Sequence, residues 1–202
     1  MNTQVIVLEE KQISQATEIL VNAFSQDPLL EYIFPPESSQ KEKISHRFSE
    51  INLRYAQAFN HIYTTSDIKG IAAWIPPNKY PLNFLKMLQL GFYKIPFQLG
   101  FERTKKLLYL FSKLEKYHKQ DMHQPHWYLL ALGVSSAYQS QGIGSLLIQP
   151  ILKQADEQNL PCYLETTTKR AVNFYQRNGF EIIITEEIPV KFWTMKRDSA
   201  NS

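Results

Sequence analysis

The order of elements along the chain predicts a mixed α/β domain: helices and a hairpin first, then strand, helix, strand, helix and two closing strands. Three observations carry this. Apolar residues recur at helical spacing in two early segments. Trp127–Val134, "WYLLALGV", is too uniformly apolar for a half-exposed strand and reads as a central strand buried on both faces. The strand–helix–strand unit that begins there has to cross over to a parallel partner.

Gln4–Leu8 reads as a short strand. Ile13, Ala16, Ile19, Leu20, Ala23 and Phe24 mark one face of a helix that Asp27-Pro28 stops. Leu29–Phe34 reads as a short apolar turn ended by Pro35-Pro36, and Ile44, Phe48, Ile51, Tyr55 and Phe59 mark a long second helix. Ile62–Thr65 and Ile71–Ile75 predict a hairpin around "SDIKG", closed by Pro76-Pro77. Leu82–Tyr117 is helical in pattern, with a break expected near Pro96 and a buried stripe of Leu107, Leu110, Phe111 and Leu114. Aromatic residues between Phe84 and Phe111 are expected in core and interlobe packing, or alternatively lining an apolar pocket. Gly142–Glu157 reads as a helix kinked at Pro150, Cys162–Thr166 as a strand, and Ala171–Asn178 as a short helix ended by Gly179. Phe180–Glu186 and Val190–Lys196 close the chain as strands.

The 202 residues suffice for one domain with a substantial core, and 44% hydrophobic with 20% charged residues is a globular composition. No apolar run approaches the roughly 18–20 residues of a membrane helix, and "MNTQVIVLEEKQ" lacks the pattern of a signal peptide. The single cysteine, Cys162, excludes an internal disulfide and reads as a buried strand residue, and no Cys/His cluster has zinc spacing. A cytoplasmic protein with no metal, no nucleic-acid partner and no membrane partner is expected, as a monomer or homodimer. Net charge is +3, but residues 81–125 set eight basic residues against three acidic ones, a local +5 that leaves −2 elsewhere. A solvated helical face accounts for that excess, and attraction of an anionic ligand is the sharper alternative.

Glycine is scarce, 7 residues in all, yet Gly133, Gly142 and Gly144 crowd one short span. Gln139-x-x-Gly142-x-Gly144 lies between a predicted strand and a helix N-terminus, where unpaired backbone N–H groups and the positive end of the helix dipole favour an anion such as a diphosphate. A plain turn needing positive φ would use the same glycines. Gly133, inside the apolar strand, suggests a bulge or a ligand's close approach, which would free the backbone of Leu132 and Val134 for an extended, amide-containing ligand shaped like coenzyme A. A P-loop is excluded because no Lys-Ser/Thr follows Gly144, and a Rossmann fingerprint because its third glycine is missing.

"LALGVSSAYQSQGIGSLL" resembles the acyl-CoA signature of the GNAT superfamily of N-acetyltransferases. The resemblance continues through "CYLETTTKRAVNFYQRNGFEII", with Asn173, Tyr175, Gly179 and Phe180 on the family's second segment, Tyr175 one position closer than the commonest spacing. It covers about residues 120–196 closely, and "AFSQDPLLEYIFP" is similar, more loosely, to small-molecule acetyltransferases of the puromycin-resistance type. The resemblance implies a GNAT-like, mostly antiparallel sheet with a splayed parallel pair, flanked by helices. One domain over 1–202 would carry a helical insertion at about 76–125 and an acyl-CoA-binding core at about 126–196.

It also implies transfer of an acetyl group from acetyl-CoA, the acyl-donor cosubstrate, to a primary amine of a small molecule by direct attack in a ternary complex. Leu132, Gly133 and Val134 would align the donor, and Gln139, Ser140, Gln141, Gly142, Ile143, Gly144, Ser145 and Leu146 would surround the diphosphate. Leu132 N–H is the candidate donor to the thioester oxygen. Tyr175 is the candidate acid for the thiolate, or else a packed core tyrosine, and Asn173 would bond the CoA arm or cap a turn. Glu165 is the best-placed candidate base, with an ion pair to a neighbouring cation as the alternative. His123 and His126 flank the central strand, and Asp27 and Glu31 are candidates to meet a cationic amine. A non-catalytic acyl-CoA-binding regulatory module and a protein or peptide N-acetyltransferase are the alternative functions.

Overall fold

The computed structural model describes residues 4–36 and 38–200; residues 1–3 and 201–202, which the expected 1–202 domain includes, lie outside the described residues. Seven strands form one sheet: β1 (Val5–Val7), β2 (Ile62–Thr65), β3 (Gly70–Ile75), β4 (Trp127–Val134), β5 (Cys162–Thr166), β6 (Glu181–Glu187) and β7 (Lys191–Arg197). Their order is β1-β2-β3-β4-β5-β7-β6, antiparallel throughout except where β4 meets β5. That pair is parallel because the connection between its strands is a helical crossover.

Helices cover both faces: α1 (Ile13–Ala23), α2 (Pro28–Ile33), α3 (Ser38–Gln57), α4 (Phe84–Gln89), α5 (Lys94–Asp121), the crossover α6 (Ile143–Gln158) and α7 (Lys169–Arg177). Strand alternation sorts the core into two layers. Ile71, Ala73 and Ile75 of β3 pack toward α1, α3 and α5, with Leu20, Ile44, Leu53, Leu107 and Leu110. Ala72 and Trp74 point the other way, toward Leu147, Ile148 and Ile151 of α6 and Val172 and Tyr175 of α7. Each such fully buried aliphatic side chain is worth about 1.5–3 kcal/mol.

Four expectations from the sequence need correction. Leu29–Phe34 is not a turn, because Asp27-Pro28 also starts α2: Asp27 Oδ1 accepts the N–H groups of Leu29 (2.9 Å) and Leu30 (3.2 Å), and Pro28 takes the first helical position. The break in α5 falls at Gly100 (φ 72°, ψ 173°), not at Pro96, which sits in the first turn where a missing N–H costs no helical bond. Phe92 is in the core, but Phe84, Phe97 and Phe101 are 61%, 84% and 73% exposed, and Lys105 Nζ lies 4.3 Å from the Phe101 ring centroid. Finally, β4 is not buried on both faces, since Trp127, Leu129 and Gly133 are buried but Tyr128, Leu130, Ala131, Leu132 and Val134 are half-buried. Pro150 leaves α6 unbroken from Ile143 to Gln158, at the cost of the bond to the Leu146 carbonyl. No helix among the described residues is long and apolar enough to cross a membrane.

Candidate active site

The parallel pair is short. β4 and β5 pair only at Trp127↔Cys162 and Tyr128↔Tyr163, while β4 stays registered with β3 through Gly70↔Val134. Beyond Tyr128 the β5-facing edge of β4 is therefore open. Ser135 N–H donates to the Lys69 carbonyl across the β3 side, so by strand alternation Gly133 also faces β3, and the backbone groups of Leu132 and Val134 face the opening. The Val134 carbonyl accepts from Gln139 Nε2 at 3.0 Å, which ties the loop to the strand end.

The irregularity in β4 is not at Gly133. Trp74 pairs with Leu129 and Ala73 with Ala131, so Leu130 is the inserted residue, and Leu130 and Ala131 both turn toward the α5-side core. Gly133 is small for another reason: a Cβ there would meet Leu20 Cδ2 at 2.8 Å and Ala23 Cβ at 3.0 Å, so its absence lets α1 lie against β4.

Past the strand, Ser140 (φ 63°) and Gly142 (φ 80°) take left-handed conformations that turn the chain into α6. A Cβ on Gly144 would lie 3.1 Å from the Phe174 ring, so this glycine lets α7 approach. No side chain caps α6 and its first turn holds no acidic residue; the first bond across the cap is Leu146 N–H to the Gly142 carbonyl. Helix geometry leaves the N–H groups of Ile143, Gly144 and Ser145 without intrahelical acceptors. Arg170 Nη2 donates to Gln139 Oε1 at 2.8 Å and brings a guanidinium to the same loop. Gln141 binds the Ala137 carbonyl, Leu146 is exposed, and Asn173 is exposed on α7.

Tyr175 lies in the α6/α7 core, against which the Leu132 and Val134 side chains pack, with its ring edge-on to Phe174 and Phe180. Burial pushes its phenol well above the ordinary tyrosine range, so it keeps its proton near neutrality. Burial likewise holds Cys162 up to about 12, a thiol rather than a nucleophile.

Glu165, two residues beyond the last paired residue of β5, lies on the opposite face. Its Oε1 is 3.3 Å from His118 Nδ1, with the imidazole 1% and the carboxylate 11% exposed. His118 Nε2 lies 2.7 Å from His126 Nε2, and His126 Nδ1 is 2.8 Å from the Gln124 carbonyl. Tyr80 stacks on His118 with ring centroids 3.5 Å apart, Tyr128 and Tyr163 pack around it, and Tyr163 donates to Asp121 Oδ2 at 3.1 Å. Burial first, and the Glu165 carboxylate second, push Tyr80, Tyr128 and Tyr163 upward. Burial lowers His126, opposed by its bond to Gln124. A cavity of about 410 Å³ lined by Tyr55, Phe59, Asn83 and Lys86 shares Tyr80 with this cluster.

Glu165 and His126 thus both contact His118, while His123 is exposed. Asp27 is fully engaged, since its Oδ2 accepts from Thr167 Oγ1 at 2.6 Å while Oδ1 caps α2. Glu31 faces Lys41 at 3.7 Å. His118 and Tyr80 escaped the sequence reading. The signal for His118 was its spacing, four residues after Leu114 on the buried stripe of α5.

Residues 110–180 match the Acetyltransferase (GNAT) family. An uncharacterized N-acetyltransferase of Schizosaccharomyces pombe is 29% identical over 182 residues, covering 86% of this chain and 72% of that one. Among solved structures, the histone acetyltransferase HPA2 and related acetyltransferase from Corynebacterium glutamicum superposes with a TM-score of 0.69 at 21% identity, over 99% of this chain and 98% of that one. An agmatine N-acetyltransferase superposes with a TM-score of 0.66 at 14% identity, over 98% and 100%. Residues 110–180 are thus similar to the GNAT family, and the fold is that of solved acetyltransferases. The open edge of β4 and the uncapped start of α6 both offer main-chain donors.

Proposed function

We propose that this protein transfers the acetyl group of acetyl-CoA to a primary amine of a small molecule by direct attack within a ternary complex. The observation that carries the reading is the end of β4/β5 pairing at Tyr128 and Tyr163, with β4 running on to an uncapped, glycine-led helix. Pantetheine amides bond the freed backbone of Leu132 and Val134, and the diphosphate takes the N–H groups of Ile143, Gly144 and Ser145, with Arg170 beside it. Leu132 N–H donates to the thioester oxygen as charge develops there, a contribution of about 3–4 kcal/mol to the transition state.

Tyr175 and Glu165 lie on opposite faces of the sheet, which suits a reaction at the splay between them. The amine gives a proton to Glu165, directly or through water, and attacks the acetyl carbon, while Tyr175 protonates the departing sulfur. Two proteins of the same fold, an agmatine N-acetyltransferase and a polyamine N-acetyltransferase, support small amines as the acceptor class. The loose similarity of "AFSQDPLLEYIFP" to puromycin-type enzymes points the same way.

The test is thiol release from acetyl-CoA across a panel of amines, antibiotics and peptides. Turnover of at least one small amine is expected, and Tyr175→Phe should lower kcat about 100-fold or more while acetyl-CoA still raises the Tm. A Tm rise without turnover on any acceptor would instead identify a binding module.

A further inference from the structure

The break at Gly100 leaves a large apolar surface facing outward. Helical spacing sets Phe101, Lys105, Leu108 and Ser112 on one stripe of α5, with Tyr109 beside it, while Leu107 and Leu110 are buried on the opposite side. Phe101, Leu108 and Tyr109 are all exposed. Before the break Tyr93 and Phe97, one helical turn apart, are exposed too, Phe97 to 84%. Phe97 and Phe101 bracket Gly100, so their Cα atoms lie within about 14 Å of each other. Apolar residues exposed singly are ordinary, but a run of large ones along one element marks a contact surface.

The same surface is basic. Between Phe84 and Lys113 one acid, Glu102, stands against six basic residues. Lys94 and Lys113 lie over the exposed rings of Tyr93 and Tyr109, 5.7 and 5.5 Å from the ring centroids. Neither has an ion-pair partner among the described residues, whereas Lys105, over the Phe101 ring, pairs with Glu102 at 3.3 Å. Each stem thus follows an aromatic ring and leaves its ammonium to meet an outside anion.

We propose that this face of α5 docks on an anionic lipid surface: the exposed rings enter the headgroup boundary, and Lys94, Lys105 and Lys113 meet the lipid phosphates and carboxylates. The charge selects the occupant, because an excess of lysine calls for a negative partner. A second copy of the chain would instead set lysines against lysines across a two-fold contact. The shape agrees with a soft medium rather than a partner helix, since Phe97 stands almost clear of the protein. The neighbouring cavity, about 510 Å³ between α3 and Gln98, is lined by Glu42, Lys43, His46 and Arg47 and receives none of these rings.

Aromatic side chains set among lysines are also the pattern of a helix that lies in a membrane interface. The expectation of no membrane partner rested on the lack of a spanning run, which an interfacial contact does not need. None of these residues belongs to the opening of β4 or the start of α6, so the proposal stands apart from the acyltransfer reading.

Co-sedimentation of the full-length protein with lipid vesicles is the test. Binding is expected to phosphatidylcholine vesicles containing about one-third phosphatidylserine and not to phosphatidylcholine alone, and it should weaken as salt rises from about 0.1 M to about 1 M. Phe97→Ser with Phe101→Ser, and separately Lys94→Glu with Lys105→Glu, should each weaken it about tenfold or more. All four side chains are exposed, so Tm should hold in both variants. No binding to the anionic vesicles would overturn the proposal. Binding that the phenylalanine pair leaves unchanged would overturn it as well, because surface charge alone would then account for it. Without vesicle binding, a dimer abolished by the phenylalanine pair would assign the face to a second copy, and capture of an acidic amphipathic peptide would assign it to a protein partner; either result overturns the lipid assignment.

Discussion

Asp27 accepts a hydrogen bond from Thr167 at 2.6 Å, tying the start of α2 to the residue that follows β5. One carboxylate thus caps a helix of the N-terminal half and anchors the strand that carries Glu165. Asp27→Ala is expected to cost about 1–2 kcal/mol through the lost cap alone. It should raise KM for the amine while acetyl-CoA affinity holds. Chemical denaturation and paired KM and Kd measurements check this, and a KM unchanged despite the lost stability would separate Asp27 from the acceptor side.

The glycines divide by role, which substitution can expose. Gly133→Ala drives a methyl into Leu20 and Ala23, so about 1–3 kcal/mol of stability should be lost. Gly142→Ala meets nothing within 4 Å but strains a φ of 80°, at about 1–2 kcal/mol. Its larger effect should be on acetyl-CoA affinity, because it re-aims the N–H groups that open α6. Denaturation midpoints beside acetyl-CoA titrations distinguish the two, and equal loss of affinity in both variants would contradict the division.

Stability should fall as pH drops below about 6.5. His61 and His126 are both lowered from the ordinary value of 6.5, chiefly by burial, so the unfolded chain binds protons there more readily than the folded one. Their contribution is complete above the unfolded value and is lost as pH falls from there through the depressed folded values. Tm recorded from pH 8 to pH 5 should decline most steeply below about 6.5. His61→Gln, which replaces a ring set edge-on to Trp127, should flatten part of that decline.

Arg197 grips Asp156 through two bonds of 2.8 Å, and the Ala200 N–H adds a third contact, joining the end of β7 to α6. The Arg197 bonds hold the Asp156 carboxyl below the ordinary carboxylate value. Asp156→Asn should cost about 1.5 kcal/mol, the low end for charged hydrogen bonds because the pair is partly solvated. A Tm loss that shrinks as pH falls from the ordinary carboxylate value through the depressed folded value of Asp156 is the expected signature.

The sequence carried the sheet's central unit because its signals are local. Trp127–Val134 is apolar without interruption, Gln139, Gly142 and Gly144 sit together, and Gly179 ends α7 at positive φ as its position implied. What escaped depends on partners distant in sequence. The inserted residue at Leu130 is set by how Ala73 and Trp74 register against β4, and Gly133 owes its identity to α1, over a hundred residues earlier. Phe97 and Phe101 look like core residues, yet the break at Gly100 leaves both exposed. His118 reads as one polar residue on an apolar stripe until the fold brings Glu165 and His126 to it.

The central claim is that main-chain donors along the freed edge of β4 and at the start of α6 hold acetyl-CoA. Residue-resolved amide hydrogen exchange with and without acetyl-CoA tests it most directly. Added cosubstrate should slow exchange at Leu132, Val134 and Ile143–Ser145 and leave Trp127 and Tyr128, already paired, unchanged. Equal exchange at those five amides in both conditions, with acetyl-CoA demonstrably bound, would contradict it.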